Sequence, residues 1–319
     1  MSKKLAAFAR IFISVLMIYI MGILSFASLL GTTGMETVTE GNGMDTVVNR
    51  IREMKESVIY YSDDILVNLI MLALFGLICF LILPKMKKFT LKAELIFITV
   101  WTILIGTIWV NSSMVQPTFD SQYVMDAAQH FAQDDFSDMS TDYIQQFPYQ
   151  LGYILLNEII IRIASANFGE PDNLVFIQVI NAVFLALIYD GIILINHTVF
   201  KDQRIRHLTV LLLTFCTQPI IFCSFLYGIF PAFAFAVWAV YLEILYFKKN
   251  KLWMGLVSAL CIGLAVLFKT NNYIVLIAML AIGFVELLQR KNYLKDIACL
   301  ALACVLSLNA VPVVTSFYE

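Results

Sequence analysis

The segment from Asn111 to Pro148 carries the residues whose types and spacing could do chemistry. It holds six carboxylates, Asp120, Asp126, Asp134, Asp135, Asp138 and Asp142, and no Lys or Arg. Asp120 stands in Gln116-Pro117-Thr118-Phe119-Asp120-Ser121, nine residues past Asn111, where a long apolar run ends. A carboxylate at a lipid–water boundary can take the proton of an attacking hydroxyl as a lipid-bound group departs, or it can ligate a metal. The plain structural role for Asp120 is to cap the helix that Ser121-Gln122-Tyr123-Val124-Met125-Asp126-Ala127-Ala128 would form. If a divalent metal (Mg²⁺ or Mn²⁺) is used, Asp120 and Asp126 are the residues to hold it. Asp126, Asp134, Asp135 and Asp138 otherwise read as a solvated acidic face.

Two cations could complement that carboxylate. Lys269 ends an apolar run in Ala265-Val266-Leu267-Phe268-Lys269-Thr270-Asn271-Asn272, where it could hold a lipid phosphate or simply snorkel to the surface. Arg162 could do the same, or pair with Glu158 in the favourable i,i+4 order. Glu243 and Glu286 lie about a turn from Lys248 and Arg290 and read as structural pairs. Asp190 lies deeper in an apolar run, and an ionisable residue at membrane depth points to function by default.

These residues have to be positioned by membrane helices. The chain is 61% hydrophobic and 14% charged, with a mean hydropathy of +0.84, against about half apolar and a quarter charged in water-soluble domains. Runs long enough to span a bilayer are Ile11–Leu30, Ile65–Leu83, Ala93–Asn111, Leu174–His197, Leu208–Leu226, Ile229–Phe247, Leu252–Phe268, Tyr273–Leu288 and Ile297–Phe317, nine in all. The apolar start is too long for a signal peptide and reads as a retained first helix. All six cysteines fall inside apolar runs, which points to small buried residues and not to a disulfide frame. No basic patch suggests nucleic acid.

Charge sets the expected orientation. Lys3, Lys4 and Arg10 place the N-terminus inside. The acidic loop then faces outside after three crossings. If Tyr149–Ala166 crosses, Lys201, Arg204, Arg206, Lys248, Lys249, Lys251, Arg290, Lys291 and Lys295 land outside; if it does not, all nine land inside and Lys269 lands outside. The positive-inside rule therefore predicts that this segment lies in the outer interface. Gln150, Asn157, Glu158, Arg162 and Ser165 on one face predict an amphipathic helix there. In the loop Gly31 to Asp64, the stretch Arg50-Ile51-Arg52-Glu53-Met54-Lys55-Glu56, with Tyr60-Tyr61 after it, predicts a short interfacial helix.

Taken in order, these features resemble the GT-C membrane glycosyltransferases, closest to the protein-mannosyltransferase-like and aminoarabinose-transferase-like branches (glycosyltransferase family 39). The residues that carry the resemblance are Asp120 after a helix exit, Pro148-Tyr149-Gln150-Leu151-Gly152-Tyr153, then Phe168-Gly169, and Leu264 to Tyr273 around Lys269. It covers roughly residues 93–319. The chain departs from the family in having one Asp where many members show an acidic pair, and Pro148-Tyr149 where a double proline is usual. It also stops at Phe317-Tyr318-Glu319, where members normally continue, which suggests a truncated product or a fragment.

The apolar runs, which lipid forces into helices, predict an all-α polytopic membrane protein with about nine transmembrane helices plus an outer-face amphipathic helix, GT-C-like by the resemblance. Residues 1–92 would form a two-helix hairpin with an outer loop. Residues 93–319 would form the GT-C-like core, with a catalytic loop at 112–148, the amphipathic segment at 149–166 and a helical bundle at 174–319. The implied activity moves a sugar from a polyprenyl-phosphate donor to a protein, envelope glycan or lipid acceptor at the outer face of the plasma membrane. Asp120 would be the base, Lys269 and Arg162 would bind the donor phosphate, and Tyr123, His130, Tyr149 and Gln150 would contact substrate. The competing expectations are a non-catalytic protein, such as a transporter subunit or an envelope-assembly scaffold, and an inactive truncated homologue.

Overall fold

A computed structural model describes residues 3–39, 54–169, 173–287 and 294–318. The chain is a multi-pass, all-α membrane protein apart from one β-hairpin. Among the described residues, seven helices are long and apolar enough to cross a bilayer. An eighth crossing results if Gln203–Phe215 and Gln218–Ser224, which meet at a 46° bend, form one broken span. Helices dominate because lipid offers no hydrogen bonds, so every spanning backbone must satisfy its own.

The chain divides into two compact units, Met1–Pro84 and Lys85–Glu319. In the first, α1 (Lys3–Leu30) leads into an antiparallel hairpin of β1 (Gly31–Thr39) and β2 (Met54–Ser62), with Gly31 opposite Ser62 and Thr39 opposite Met54. Helix α2 (Ile65–Met86) follows. The hairpin corrects the interfacial helix expected in this loop. Val58, Ile59, Tyr60 and Tyr61, facing the Thr-rich Gly31–Thr39, are β-formers whose cross-strand pairing overrides the charge pattern. Residues 50–53 of the expected helix lie outside the described residues.

The second unit holds α3 (Leu91–Ser113), α4 (Asp120–Ala132), the short α5 (Asp142–Gln146), α6 (Leu151–Phe168), α7 (Asn173–Val199), α8 (Gln203–Phe215), the short α9 (Gln218–Ile221), α10 (Ile229–Lys249), α11 (Leu252–Phe268), α12 (Tyr273–Leu287) and α13 (Leu294–Tyr318). Packing runs in a row, α3 on α7, α7 on α10, α10 on α11 and α11 on α13. Helix α6 touches α4, α7, α11 and α13. Gly106 lets α3 approach α7 so closely that a Cβ there would lie 2.5 Å from the Ala182 Cβ.

Helix α6 differs from expectation in where its polar face points. With the turn before it, Pro148–Phe168 is long and apolar enough to span. But it starts with Gly152 against Leu267 at the end of α11 and finishes with Phe168 on Phe176 in the first turn of α7, beside the Gln178–Val115 bond. Both its ends therefore lie at the same end of the bundle, as a helix that does not cross requires. Its polar residues Gln150, Asn157 and Glu158 are 1%, 0% and 6% exposed. They face protein, not head groups, so the amphipathic pattern marks a helix with a polar inner face. The expected Glu243–Lys248 pair is also absent. Glu243 is buried, and the Lys248 ammonium donates to the Thr198 carbonyl instead. Arg290 lies outside the described residues. Four cysteines are buried as expected and Cys304 is half-buried, but Cys216, at the α8–α9 bend, is exposed.

Two polar groups stitch α3 to α7 and α8. At one end, buried Glu94 accepts from Arg206 and pairs with His207, and Arg206 also meets His197 at 3.1 Å. Deeper in the seam, Thr99 donates to Asp190 at 2.8 Å.

Candidate functional site

At the other end of α3 the chain leaves the helix through Met114, which adopts a left-handed conformation (φ 45°). It re-enters helix at α4. The N-cap is Phe119, not Asp120, and it has φ 51° and ψ −129°. A bulky residue pays on the order of 1–3 kcal/mol for such a conformation. Asp120 is therefore the first residue of α4, with its carboxylate at the positive end of the helix dipole. The turn is held down because Val124, Met125, Ala128 and Phe131 bury the other face of α4 in a core shared with α6.

Asp120 meets two residues far away in sequence. The Tyr227 hydroxyl donates to Asp120 Oδ2 at 2.8 Å. Lys269 Nζ sits 3.2 Å from the centroid of the Tyr227 ring, a cation–π contact. Burial pushes the Lys269 ammonium down to about 8, partly opposed by the nearby Asp120 charge. Burial, and then its bond to the Asp120 carboxylate, push the Tyr227 phenol up to about 12. One tyrosine thus bridges a carboxylate and a cation whose proton is held less tightly than usual.

The wall of the site is aromatic. Tyr143, on α5, is raised well above the usual phenol range, first by burial and then by the Asp120 charge. Tyr123 stacks on it at 4.7 Å, and Tyr149 is close enough to influence both Tyr143 and Tyr227. The Gln150 amide favours the ionised form of both phenols, yet neither of its amide atoms makes a hydrogen bond of good geometry. A buried unpaired amide costs about 1–3 kcal/mol, so Gln150 is poised to take a partner.

Main-chain contacts bring the three segments together. A Cβ on Gly152 would lie 2.2 Å from the Leu267 carbonyl oxygen, and one on Gly228 would lie 2.6 Å from that of Phe268. Gly228 also has φ +72°, so glycine is needed there for conformation as well as space. The end of α11 is therefore seated against the first turn of α6 and the start of α10, which sets Lys269 beside Tyr227. The Asn272 side chain caps α11 by donating to Ala265 and Lys269 carbonyls at 3.2 and 3.1 Å. On α7, Gln178 donates to Val115 and Ser224 carbonyls at 2.9 and 3.0 Å, and Asn181 donates to Cys223 at 3.0 Å. These two amides tie the Asp120 loop to the chain that carries Tyr227.

Of the residues singled out in the sequence, Asp120, Lys269, Tyr149 and Gln150 come together, with Tyr123 behind Tyr143. His130 and Arg162 do not join them. His130 pairs with Asp138 at 2.8 Å, and that bond raises it above the ordinary imidazole value. Arg162 is occupied by Glu158 at 2.9 Å, Asp134 at 2.7 Å and the Phe131 carbonyl at 2.6 Å. It ties α6 to the end of α4 and does not face the site. Asp126 feels His130 and Asp138.

Among the described residues, no group of three or more His, Cys, Asp or Glu is placed to hold a metal ion. Around Asp120 the donor set fits a divalent ion poorly, because Tyr227 occupies Oδ2 and the Lys269 ammonium lies close enough to feel the carboxylate. Tyr143, Gln178, Asn181 and Tyr227 had no role assigned to them from the sequence. Polar residues spaced i,i+3 in an apolar run, as Gln178 and Asn181 are, were the available signal.

No protein-family model, curated protein or solved structure matches the chain.

Proposed function

We propose that the protein is a GT-C-type glycosyltransferase that moves a sugar from a polyprenyl-phosphate donor to a hydroxyl acceptor at the outer face of the plasma membrane. The observation that carries this reading is the Asp120–Tyr227–Lys269 arrangement, a base and a cation joined through one phenol. Asp120 takes the acceptor proton as the acceptor oxygen bonds to the anomeric carbon. The bond from that carbon to the phosphate oxygen breaks, and polyprenyl phosphate leaves with the electron pair. Attack opposite the leaving group inverts the anomeric centre. Lys269 offsets the phosphate charge as it leaves. Tyr227 orients the Asp120 carboxylate, and the aromatic wall with Gln150 contacts the sugar.

The test is sugar release from radiolabelled polyprenyl-phosphate sugars in membranes bearing the wild-type chain or Asp120→Asn, with and without EDTA. The expected result is turnover that falls by about 10²–10⁴ in the variant at equal expression. Turnover insensitive to Asp120→Asn refutes the role of Asp120.

A second reading, a non-catalytic transporter subunit, is favoured by one observation. Asp190 and Thr99 pair deep between α3 and α7, near a span broken by 46°, and transporters place polar groups and broken helices at such depths. Loss of function in Asp190→Asn with full function in Asp120→Asn would select it.

A further inference from the structure

A cleft of about 240 Å³ opens beside the Asp120 turn, and nothing assigned above uses it. One wall is Trp109, Phe222 and Phe225, and the other is Gln116, Thr118 and Ser121. No charged side chain lines it. Ser121 follows Asp120 directly and is 2% exposed, and its hydroxyl has no hydrogen-bond partner. The Trp109 indole is already committed to the Ile221 carbonyl at 3.1 Å, so Trp109 contributes surface and no donor. Asp120, Tyr227 and Lys269 are not in its lining.

Resting on the transferase reading of Asp120, we infer that this cleft is the acceptor site and that the acceptor is a neutral, hydroxyl-bearing membrane lipid. Three features point to a lipid. First, the cleft lies between the last turns of α3, a helix long and apolar enough to cross a bilayer, and the Gln218–Ser224 arm of the bent apolar pair, so its wall is apolar on both of those sides. Second, Phe222 and Phe225 are 57% and 42% exposed on that wall, ready to meet acyl chains. Third, a lining without charge offers nothing to an ionic head group, whereas the unpaired Ser121 hydroxyl offers one neutral hydrogen bond. A buried hydroxyl left unpaired is costly, and a ligand hydroxyl satisfies it. Asp120 precedes Ser121 in the first turn of α4, so a lipid hydroxyl bonded to Ser121 is held one residue from the carboxylate that takes its proton in the transfer step above.

The test needs no turnover. The full chain in nanodiscs is photolysed with a diazirine-bearing diacylglycerol, and the adducts are mapped by mass spectrometry. A diazirine triacylglycerol, which lacks the free hydroxyl, is the control. The expected result is labelling of residues 109–124 and 219–226 by the diacylglycerol at about ten times the level of the control, the ratio one hydrogen bond supports. Thr118→Trp, an exposed position that fills the cleft, should erase the difference while the melting temperature stays at the wild-type value. Equal labelling by the two lipids overturns the inference, as does labelling of the cleft by a photoreactive Ser/Thr peptide in preference to the diacylglycerol. Because the readout is labelling, its failure is distinct from failure of the transferase reading, which shows as absent sugar release.

Discussion

Lys269 provides a two-sided pH test of the site. Its proton is held with a value near 8 in the folded protein, against an ordinary 10.5. A group at 8 is about nine-tenths charged at pH 7 and about one-tenth charged at pH 9. If the ammonium holds the donor phosphate, affinity for a phosphodiester-linked polyprenyl sugar falls about tenfold between those pH values. The phosphodiester keeps one charge throughout, so the ligand contributes no slope. Stability should move the other way. Between about 8 and 10.5 the unfolded chain binds the proton that the folded chain has lost, so folding becomes more favourable as pH rises through that window. Binding can be read by scintillation proximity and stability by thermal melting in detergent, both from pH 6.5 to 9.5. Lys269→Arg keeps its charge across this range and should flatten the binding profile. A wild-type profile that is flat, or the same fall in Lys269→Arg, would refute the assignment of Lys269 to the phosphate.

Other perturbations probe how the site is held. Tyr227→Phe removes the 2.8 Å bond to Asp120 and should lower kcat roughly tenfold with KM little changed, read by initial rates. Gly152→Ala puts a Cβ 2.2 Å from the Leu267 carbonyl, so the end of α11 must move; the expected loss of about 1–3 kcal/mol shows as a lower melting temperature, with the alkaline fall in donor affinity displaced. Gln178→Leu leaves the Val115 and Ser224 carbonyls without their donor, which should cost about 1–3 kcal/mol and raise protease sensitivity between residues 114 and 120.

The membrane helices were readable from the sequence because bilayer thickness and the backbone's need for hydrogen bonds leave few alternatives. The same reading placed Asp120 just past a helix exit and Lys269 at a helix end; in the fold the first meets the Tyr227 hydroxyl and the second the face of its ring. It could not see that ring, because Tyr227 sits in a Tyr-Gly break whose meaning depends on which backbone passes it. Nor could it decide which way the polar face of α6 points. Gln150 and Asn157 look the same in sequence whether they face head groups or a protein interior, and here burial went inward. Arg162 looked free for a phosphate because its partners Asp134 and the Phe131 carbonyl come from another helix. The hairpin was missed because strand pairing is non-local, whereas the charge pattern of residues 50–56 is local.

The glycines at 152 and 228 have a bearing on descent. The spacing between the carboxylate and the cation is fixed where main-chain carbonyls rest on two residues that lack a side chain. The apolar side chains elsewhere in the bundle meet loose demands of volume and oiliness, which many substitutions satisfy. Such a protein can diverge over most of its length while the Asp120–Tyr227–Lys269 geometry stays in register. Its kin are better sought by a sparse signature than by overall likeness. That signature is a Phe-Asp at a helix start, a glycine four residues after a proline, a Tyr-Gly break, and a Lys-Thr-Asn-Asn following a helix.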